Sequence, residues 1–404
     1  MRSIKFSLWI SSIILLLALE FLVSGRNTFL YAQEGFSQKN AYKGHDVFQN
    51  KGCIQCHAVY GRGGKGGPDL GKDKFFGTYL EFAAMMWNHF PRMEEKMEKK
   101  GLSFPQFSAE ETEQLITYLA YIRYKGEPGN EFAGKKLLNS KGCVKCHKFG
   151  GRGGDIGPDI TSELEYLSPI ILVETMWNHG PDMMDIFEQN DIKRPQFKNN
   201  EIVDIAVAIK AYMSPTNRIP PGSYDLGDPS NGKILLQEKG CITCHSSRGT
   251  GGNLAPDFYS MDFNKSVTEI AGMMWNHAPE MWELMNRENI TIPTFKKGEM
   301  ADIIGYFYSI KLQDASGDEE NGKNIVYNRD CLSCHSIKGE GSSIATDLAR
   351  VDGLDNSLIV VNAMFNHASD MKKRHTEMKL EWPKLSGKDI ADLVAYLNAL
   401  SPAK

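Results

Sequence analysis

The sequence lacks an excess of charge of either sign. Its 404 residues carry 46 lysines and arginines against 50 aspartates and glutamates, so the formal net charge is −4. It also lacks a long run of lysine and arginine, which a nucleic-acid-binding surface would need, so we exclude that class of function. A charged fraction of 24% beside a hydrophobic fraction of 41% is close to the globular average, which excludes wholesale disorder.

Long hydrophobic runs are absent after the first thirty residues. Residues 6–19 are apolar, follow Arg2 and Lys5, and give way to polar sequence after Val23. This order is typical of an export signal, and we predict that residues 1–32 are a signal peptide. The alternative is an uncleaved membrane anchor, because the run approaches the roughly 18–20 residues that span a bilayer. In both cases we expect the rest of the chain to be exported, to the periplasm or the outer side of the cytoplasmic membrane.

Cysteine is scarce and occurs in one pattern only. The eight cysteines form four Cys-x-x-Cys-His motifs, whose members are Cys53, Cys56 and His57; Cys143, Cys146 and His147; Cys241, Cys244 and His245; and Cys331, Cys334 and His335. In such a motif the two thiols can add across the two vinyl groups of a haem, and the histidine can bind the iron. A zinc site would need a second ligand pair nearby, and a thioredoxin-type dithiol would need a βαβ context; neither pattern is present.

The motifs belong to a repeat, and we name its copies by their predicted domain boundaries. Unit I spans residues 40–125, unit II 130–213, unit III 228–312 and unit IV 318–402. The linker between units II and III is the longest and richest in proline, which indicates two pairs of units. No stretch alternates apolar and polar residues as a strand would, so we predict an all-α fold of four tandem helical domains.

Further residues recur at fixed distances from each motif histidine. Eleven residues after it come Pro68, Pro158, Pro256 and Thr346, each followed by an aspartate. Thirty-two residues after it come the second histidines, His89, His179, His277 and His367, and four residues later the second methionines, Met93, Met183, Met281 and Met371. The sequence Asn-His is predicted to end a central helix, with Pro91, Pro181 and Pro279 starting a new one.

Each unit resembles a class I cytochrome c domain: a short helix, the motif, a glycine-rich loop ending near Pro-Asp, a central helix and a C-terminal helix. The resemblance implies four covalently attached haem c groups on the eight cysteines, with the four motif histidines as proximal iron ligands. It implies that the proline before the aspartate offers its carbonyl to the proximal imidazole, a role that Thr346 could fill in unit IV. It further implies attachment by the cytochrome c maturation machinery.

The position that usually supplies the distal ligand in this family does not hold a methionine here. The family usually takes it from a methionine before a Pro-x-aromatic sequence, and that place holds Phe104, Arg194, Ile292 and Trp382. Our first choice is the second methionines, because Met/His ligation suits the fold, and the alternative is the second histidines. We expect Met86, Met176, Met274 and Met364 to pack against the porphyrin.

With both iron faces occupied and no acid or base cluster, the sequence predicts an electron carrier and no catalytic residues. Its iron would cycle between Fe(II) and Fe(III), exchanging electrons with donor and acceptor proteins that the sequence does not identify. One alternative is a haem enzyme acting on a small inorganic substrate or peroxide at one haem with a labile distal ligand, unit IV being the first candidate. Another is the cytochrome subunit of a membrane oxidoreductase.

Overall fold

The structure, a computed structural model, describes residues 37–72, 77–163, 167–213, 227–351, 353 and 356–400. It is mostly helical, which confirms the all-α class. The predicted signal segment, residues 1–32, lies outside the described residues, as does most of the linker between units II and III. Within the described ranges, no helix is both long enough and apolar enough to cross a membrane.

The elements follow a common order in the four units. Unit I contains α1 (Gln38–Asn50), the hairpin β1 (Ala58–Val59) and β2 (Arg62–Gly63), α2 (Tyr79–Glu98) and α3 (Ala109–Lys125). Unit II contains α4 (Glu131–Ser140), α5 (Cys143–Cys146), β3 (Lys148–Phe149), β4 (Arg152–Gly153), α6 (Ile160–Glu163), α7 (Pro169–Asn178), α8 (Gly180–Gln189) and α9 (Glu201–Tyr212).

Units III and IV continue the order. Unit III contains α10 (Pro229–Glu238), α11 (Cys241–Cys244), β5 (Ser246–Ser247), β6 (Thr250–Gly251), α12 (Val267–Arg287) and α13 (Glu299–Lys311). Unit IV contains α14 (Glu319–Asn328), β7 (Ser336–Ile337), β8 (Glu340–Gly341), α15 (Ser357–Asn366), α16 (Ala368–Met378) and α17 (Gly387–Leu400). Each pair of two-residue strands is antiparallel, as in Ala58 opposite Gly63.

The first and last helices of each unit cross at a glycine. At Gly44 on α1, an added Cβ would lie 1.9 Å from the Gln114 carbonyl oxygen on α3. Gly134, Gly232 and Gly322 meet the carbonyl oxygens of Asp204, Asp302 and Asp392 in the same way. Only a residue without a side chain allows the two backbones to approach this closely, so the glycine fixes how the two helices are stacked.

The central helix differs between units, and here one prediction is wrong. In units I and III the helix runs without a break through Pro91 and Pro279. In unit II it ends at Asn178, and α8 begins at Gly180 with Pro181 in its first turn, as predicted. In unit IV the helix also breaks at the second histidine, although that unit has no proline there.

The units pack as two pairs, I with IV and II with III, through reciprocal hydrogen bonds. The Asn178 side-chain amide donates to the Phe295 carbonyl at 2.7 Å, and the Asn276 amide donates to the Phe197 carbonyl at 2.7 Å. The same exchange joins units I and IV through Asn88 with Leu385 and Asn366 with Phe107. Because each asparagine also accepts the amide N–H of the same partner residue, both hydrogen-bonding groups of these backbone positions are satisfied across the interface.

Candidate functional site

The motif cysteines and histidine lie on one tight turn in each unit. A left-handed residue precedes the first cysteine, with φ values of 81° at Gly52, 81° at Gly142, 74° at Gly240 and 59° at Asp330. Glycine takes this conformation without steric cost, whereas Asp330 is one of the less common non-glycine residues to do so. The motif residues that follow form one short helical turn in each unit.

Each motif histidine is held by the backbone of the loop that follows it. His57 Nδ1 lies 3.1 Å from the Pro68 carbonyl oxygen, His147 Nδ1 3.1 Å from that of Pro158, and His245 Nδ1 2.8 Å from that of Pro256. In unit IV, His335 Nδ1 lies 2.9 Å from the Thr346 carbonyl oxygen. A carbonyl can only accept, so Nδ1 carries the hydrogen and Nε2 of the neutral ring keeps its lone pair for a metal.

The aspartate after the carbonyl residue holds that loop against the hairpin. In unit III, Asp257 accepts hydrogen bonds from the N–H groups of Arg248 at 3.2 Å, Gly249 at 2.7 Å and Tyr259 at 2.7 Å. These bonds favour the carboxylate, and with the one from Gly249 as the largest cause they lower the pKa of Asp257 to about 2. Asp69, Asp159 and Asp347 accept from the corresponding glycine N–H groups. The carbonyl that orients the imidazole is therefore fixed by a second, ionic anchor.

A small residue lies against the motif imidazole. An added Cβ at Gly67 would lie 2.5 Å from His57 Cε1, and one at Gly157 would lie 2.6 Å from His147 Cε1. Units III and IV have Ala255 and Ala345 in this place, and His245 stacks on Phe258 with ring centroids 4.5 Å apart. The imidazole is therefore closely packed as well as hydrogen-bonded.

The cysteines are free thiols, and the first thiol of each motif is a weak acid. All eight lie in the described ranges, and none forms a disulfide. Burial raises the pKa of the first thiol of each motif, Cys53, Cys143, Cys241 and Cys331, to about 11. Within the described ranges no group of three or more histidine, cysteine, aspartate and glutamate side chains could hold a metal ion. The structure therefore gives no support to a zinc site, which needs thiolates and a closed set of ligands.

The second histidines stand where the central helix ends or carries its proline. His179 Nδ1 lies 2.9 Å from the Thr175 carbonyl oxygen, and His277 Nδ1 lies 2.8 Å from that of Met273. His367 Nδ1 bonds to the carbonyl of Ala363 in the same way. These bonds again leave Nε2 of the neutral ring with its lone pair.

In unit IV the imidazoles of the motif histidine and the second histidine lie close together, with their ring planes at 71°. The rings of His335 and His367 have centroids 6.4 Å apart. A metal–imidazole bond is about 2 Å long and a ring centroid lies roughly 1 Å beyond its nitrogen, so two imidazoles on opposite sides of one metal have centroids about 6 Å apart. The spacing would allow both imidazoles to bind a single metal ion.

The methionines lie on the same helices. The second methionines Met93, Met183, Met281 and Met371 are half-buried, and the last three pack against the core. Met86, Met176, Met274 and Met364, seven residues earlier in each unit, are half-buried and also pack against the core. The methionines therefore belong to the partly buried surface of the helices near the second histidines.

Two of the four residues at the family's usual methionine position, Trp382 and Arg194, take part in the unit interfaces, whereas Phe104 packs within unit I. Trp382 packs on Trp87 with ring centroids 4.3 Å apart, and Arg194 lies 4.1 Å above the ring of Trp275. Phe104 packs against Phe90 with centroids 4.7 Å apart. The sequence did not predict this use of the loop, nor the asparagines that join the units. The recurrence of asparagine before every second histidine was the available signal.

The residues present fit haem c better than an ion held by protein ligands alone. Paired thiols and an oriented imidazole could hold the porphyrin and bind its iron, and half-buried methionines with apolar neighbours could line its pocket. The oriented imidazoles of His179, His277 and His367 could supply a further nitrogen donor. The carbonyl bonded to each motif histidine is the kind of outer contact that metal-ligating histidines make.

Comparison with protein-family models matches residues 319–401 to the cytochrome c family. The match supports a c-type cytochrome, and a domain of this family implies covalently bound haem c and haem-based electron transfer. Comparisons with curated proteins and with solved structures found no match.

Proposed function

We propose that the chain is a tetrahaem c-type cytochrome that carries electrons between redox partners outside the cytoplasm. The observation that carries this proposal is the recurrence of one arrangement in all four units: the motif turn, and its histidine bonded through Nδ1 to the carbonyl eleven residues later. The family match to residues 319–401 supports the same chemistry at the C-terminal end. The export signal predicted in residues 1–32 supports the location.

When bound, haem c supplies reversible one-electron chemistry at its iron. The two cysteines of each motif would hold the porphyrin edge, and the motif histidine would bind the iron through Nε2. The carbonyls of Pro68, Pro158, Pro256 and Thr346 keep each imidazole in one tautomer and one orientation. A fixed ligand set limits reorganisation when the charge changes, which suits an electron carrier.

We propose the second histidines as the distal iron ligands, although the sequence favoured the second methionines. The Nδ1 bonds of His179, His277 and His367 to backbone carbonyls support this choice, because they hold Nε2 ready to bind. The spacing of His335 and His367 supports it as well. Since methionine ligation raises a haem potential relative to histidine, this choice also predicts low potentials.

The haem content tests the function directly. We expect the purified protein to carry four haems by mass and by its pyridine haemochrome spectrum. The double variant C241A/C244A should carry three and leave the other units loaded. One haem per chain, confined to unit IV, would contradict the tetrahaem proposal.

The ligand choice has its own measurement. Ferric magnetic circular dichroism should lack the long-wavelength sulfur-to-iron band. A band at the intensity of four haems would restore the second methionines as ligands. A high-spin fraction would instead revive the reading of a haem enzyme.

For the redox partner we propose a protein with an acidic face, docking at unit I. Lys96 Nζ donates to the Gly66 carbonyl at 2.5 Å, and Lys100 Nζ lies 4.0 Å from Cys56 Sγ, so two cations stand at this motif. Lys65, next to Gly66, is exposed. The same three places hold Asp155, Ile186 and Asn190 in unit II; Asn253, Leu284 and Glu288 in unit III; and Ser343, Arg374 and Met378 in unit IV. Unit I therefore offers the most basic surface beside its motif.

Ferricyanide, a small anionic oxidant, can probe this surface. The variant K96Q/K100Q should slow oxidation of the reduced protein several-fold at low ionic strength, and the difference should vanish at high salt. The matched control is R374Q, which removes one cation at the corresponding place in unit IV. An equal loss of rate in R374Q, or no loss in the lysine variant, would contradict docking at unit I.

A further inference from the structure

The prolines inside the two unbroken central helices each leave a carbonyl without its helical partner. Pro91 has no N–H to donate to the carbonyl of Trp87, and Pro279 has none for the carbonyl of Trp275. Both carbonyls belong to buried residues, where a lost hydrogen bond costs free energy. Each lies two residues before a second histidine, His89 or His277.

The missing donor comes from the paired unit. Trp382 Nε1 of unit IV donates to the Trp87 carbonyl at 3.1 Å. The Arg194 guanidinium of unit II donates to the carbonyl of Trp275, and its Nη1 lies 3.4 Å from the carbonyl oxygen of Asn276. Trp382 and Arg194 stand at the same place in their units, forty-seven residues after the motif histidine.

Where the paired unit offers no donor, the helix is broken. The place of Arg194 and Trp382 is taken by Ile292 in unit III and Phe104 in unit I, and neither side chain can donate. The helices that face them, in units II and IV, end at Asn178 and Asn366. There the N–H of His179 bonds to the carbonyls of Thr175 and Trp177, and the N–H of His367 bonds to the carbonyl of Phe365.

Proline alone does not explain the pattern. Units I, II and III all have it, yet only I and III keep the helix; unit IV lacks it and is broken. The unbroken helices are those that receive a side-chain donor from the paired unit. The backbone of His179, with φ of −103°, and that of His367, with φ of −116°, lie outside the helical range.

We infer that Arg194 and Trp382 are positioning residues that act across the unit interfaces: each holds the helix that presents the second histidine of the paired unit, His277 and His89 respectively. Sites I and III then depend on a neighbouring unit for their distal ligand, whereas sites II and IV set theirs locally. The inference rests on the proposed function, because it takes the second histidines as iron ligands.

Variants at position 194 separate the hydrogen bond from the charge. R194M removes the donor and the cation, and R194Q removes the cation but keeps an N–H donor. We expect R194M to alter one of the four low-spin ferric signals in the electron paramagnetic resonance spectrum of the full holoprotein, and R194Q to restore it. W382F, which keeps the ring and loses the N–H, should alter a different single signal.

The matched control is I292L, at the same place in unit III, where no donor exists to be lost. It should leave all four signals unchanged. Four unchanged signals in R194M, or the same change in I292L, would overturn the inference, and so would a change in all four signals of R194M, which would mean a general loss of structure.

The variant H277A keeps the inference distinguishable from the proposed ligand set. It should abolish the signal that R194M alters. If H277A leaves every signal intact while the haem count stays at four, the distal ligand is misassigned and the inference falls with it. If H277A removes one signal and R194M changes none, only the positioning role is wrong.

Discussion

The two pairs of units share the same interface hydrogen bonds but have different side chains packed between them. In both pairs, asparagines exchange hydrogen bonds with the loop before the last helix of the other unit, and the indoles of Trp87, Trp177 and Trp275 donate to the same loops. At the place thirty-seven residues after the motif histidine, pair I/IV has an ion pair, with Lys372 Nζ 2.9 Å from Glu94 Oε2. Pair II/III has Met184 and Trp282 there, and the Trp282 indole lies against Gly180. The shared hydrogen bonds set how the units of a pair are oriented, and the residues at this position differ between the two pairs.

The difference indicates how the chain avoids wrong pairing. A unit with Glu94 placed opposite Trp282 would bury a carboxylate without its cation, and Trp282 fits only where the facing residue is glycine. Without these differences any unit could pair with any other, because all four have the same interface asparagine. Pairing is therefore specified by a few positions that differ among the repeats.

Reversing the charge in pair I/IV should have the largest effect. E94K places a cation beside Lys372 in a site where the Glu94 side chain is only 8% exposed, and we expect the free energy of unfolding to fall by about 3 kcal/mol. The urea midpoint, followed by far-ultraviolet circular dichroism, measures it. The double variant E94K/K372E should recover most of the loss. A double variant no more stable than E94K would show that the pair is not held by this attraction.

Filling the glycine in pair II/III should have the next largest effect. In G180A the new Cβ would lie 2.0 Å from Trp282 Cη2, and a buried indole cannot move aside, so we expect a loss of about 2 kcal/mol in thermal unfolding. Adding W282A opens the space, and in that background G180A should cost little. If G180A destabilised the protein equally with and without W282A, the strain would not come from contact with Trp282. In unit IV the residue that corresponds to Gly180 is Ala368, which already has a Cβ.

A smaller difference between the pairs should appear in how their stability depends on pH. The Glu174 carboxylate of unit II accepts hydrogen bonds from the N–H groups of Gly298 at 3.0 Å and Met300 at 3.2 Å in unit III. Burial is the largest cause that raises its pKa to about 7, against the opposing effect of these bonds. In unit IV the same place holds Asn362, which donates to the Phe107 carbonyl at 2.7 Å and does not titrate.

Because the folded pKa of Glu174 lies above the unfolded value, the folded state binds the proton more tightly. Stability from this group is present below about pH 4.5 and declines as the pH rises to about 7, by about 1–2 kcal/mol after allowance for partial hydration. E174Q should remove this slope from the urea midpoint between those pH values, and N362D should add one. A slope that persists unchanged in E174Q would assign it to another group.

The sequence could predict what is local. The motif turn, the flanking helices and the carbonyl partner of each motif histidine follow from residues within a dozen positions of each other, and Thr346 bonds to His335 just as the prolines do elsewhere. The pairing of units could not be predicted, since Trp87 bonds to Pro383 across nearly three hundred residues and no local pattern encodes that choice. The ends of the central helices were predicted from the Asn-His sequence and the proline that follows it, and the helices of units I and III run on where Trp382 or Arg194 of another unit donates a hydrogen bond.

The reciprocal pairing makes the chain nested, with the inner pair II/III enclosed by the outer pair I/IV. The sequence separation is 116 residues for the bond from Trp177 to Pro293 and 296 for that from Trp87 to Pro383. Closing the longer loop first would cost about 0.8 kcal/mol more in chain entropy, and closing it after the inner pair has formed removes most of that difference. Unit I, the first to be synthesised, must therefore wait for unit IV, the last, before its helix acquires the indole of Trp382. A chain that stops after unit II contains one half of each pair and completes neither.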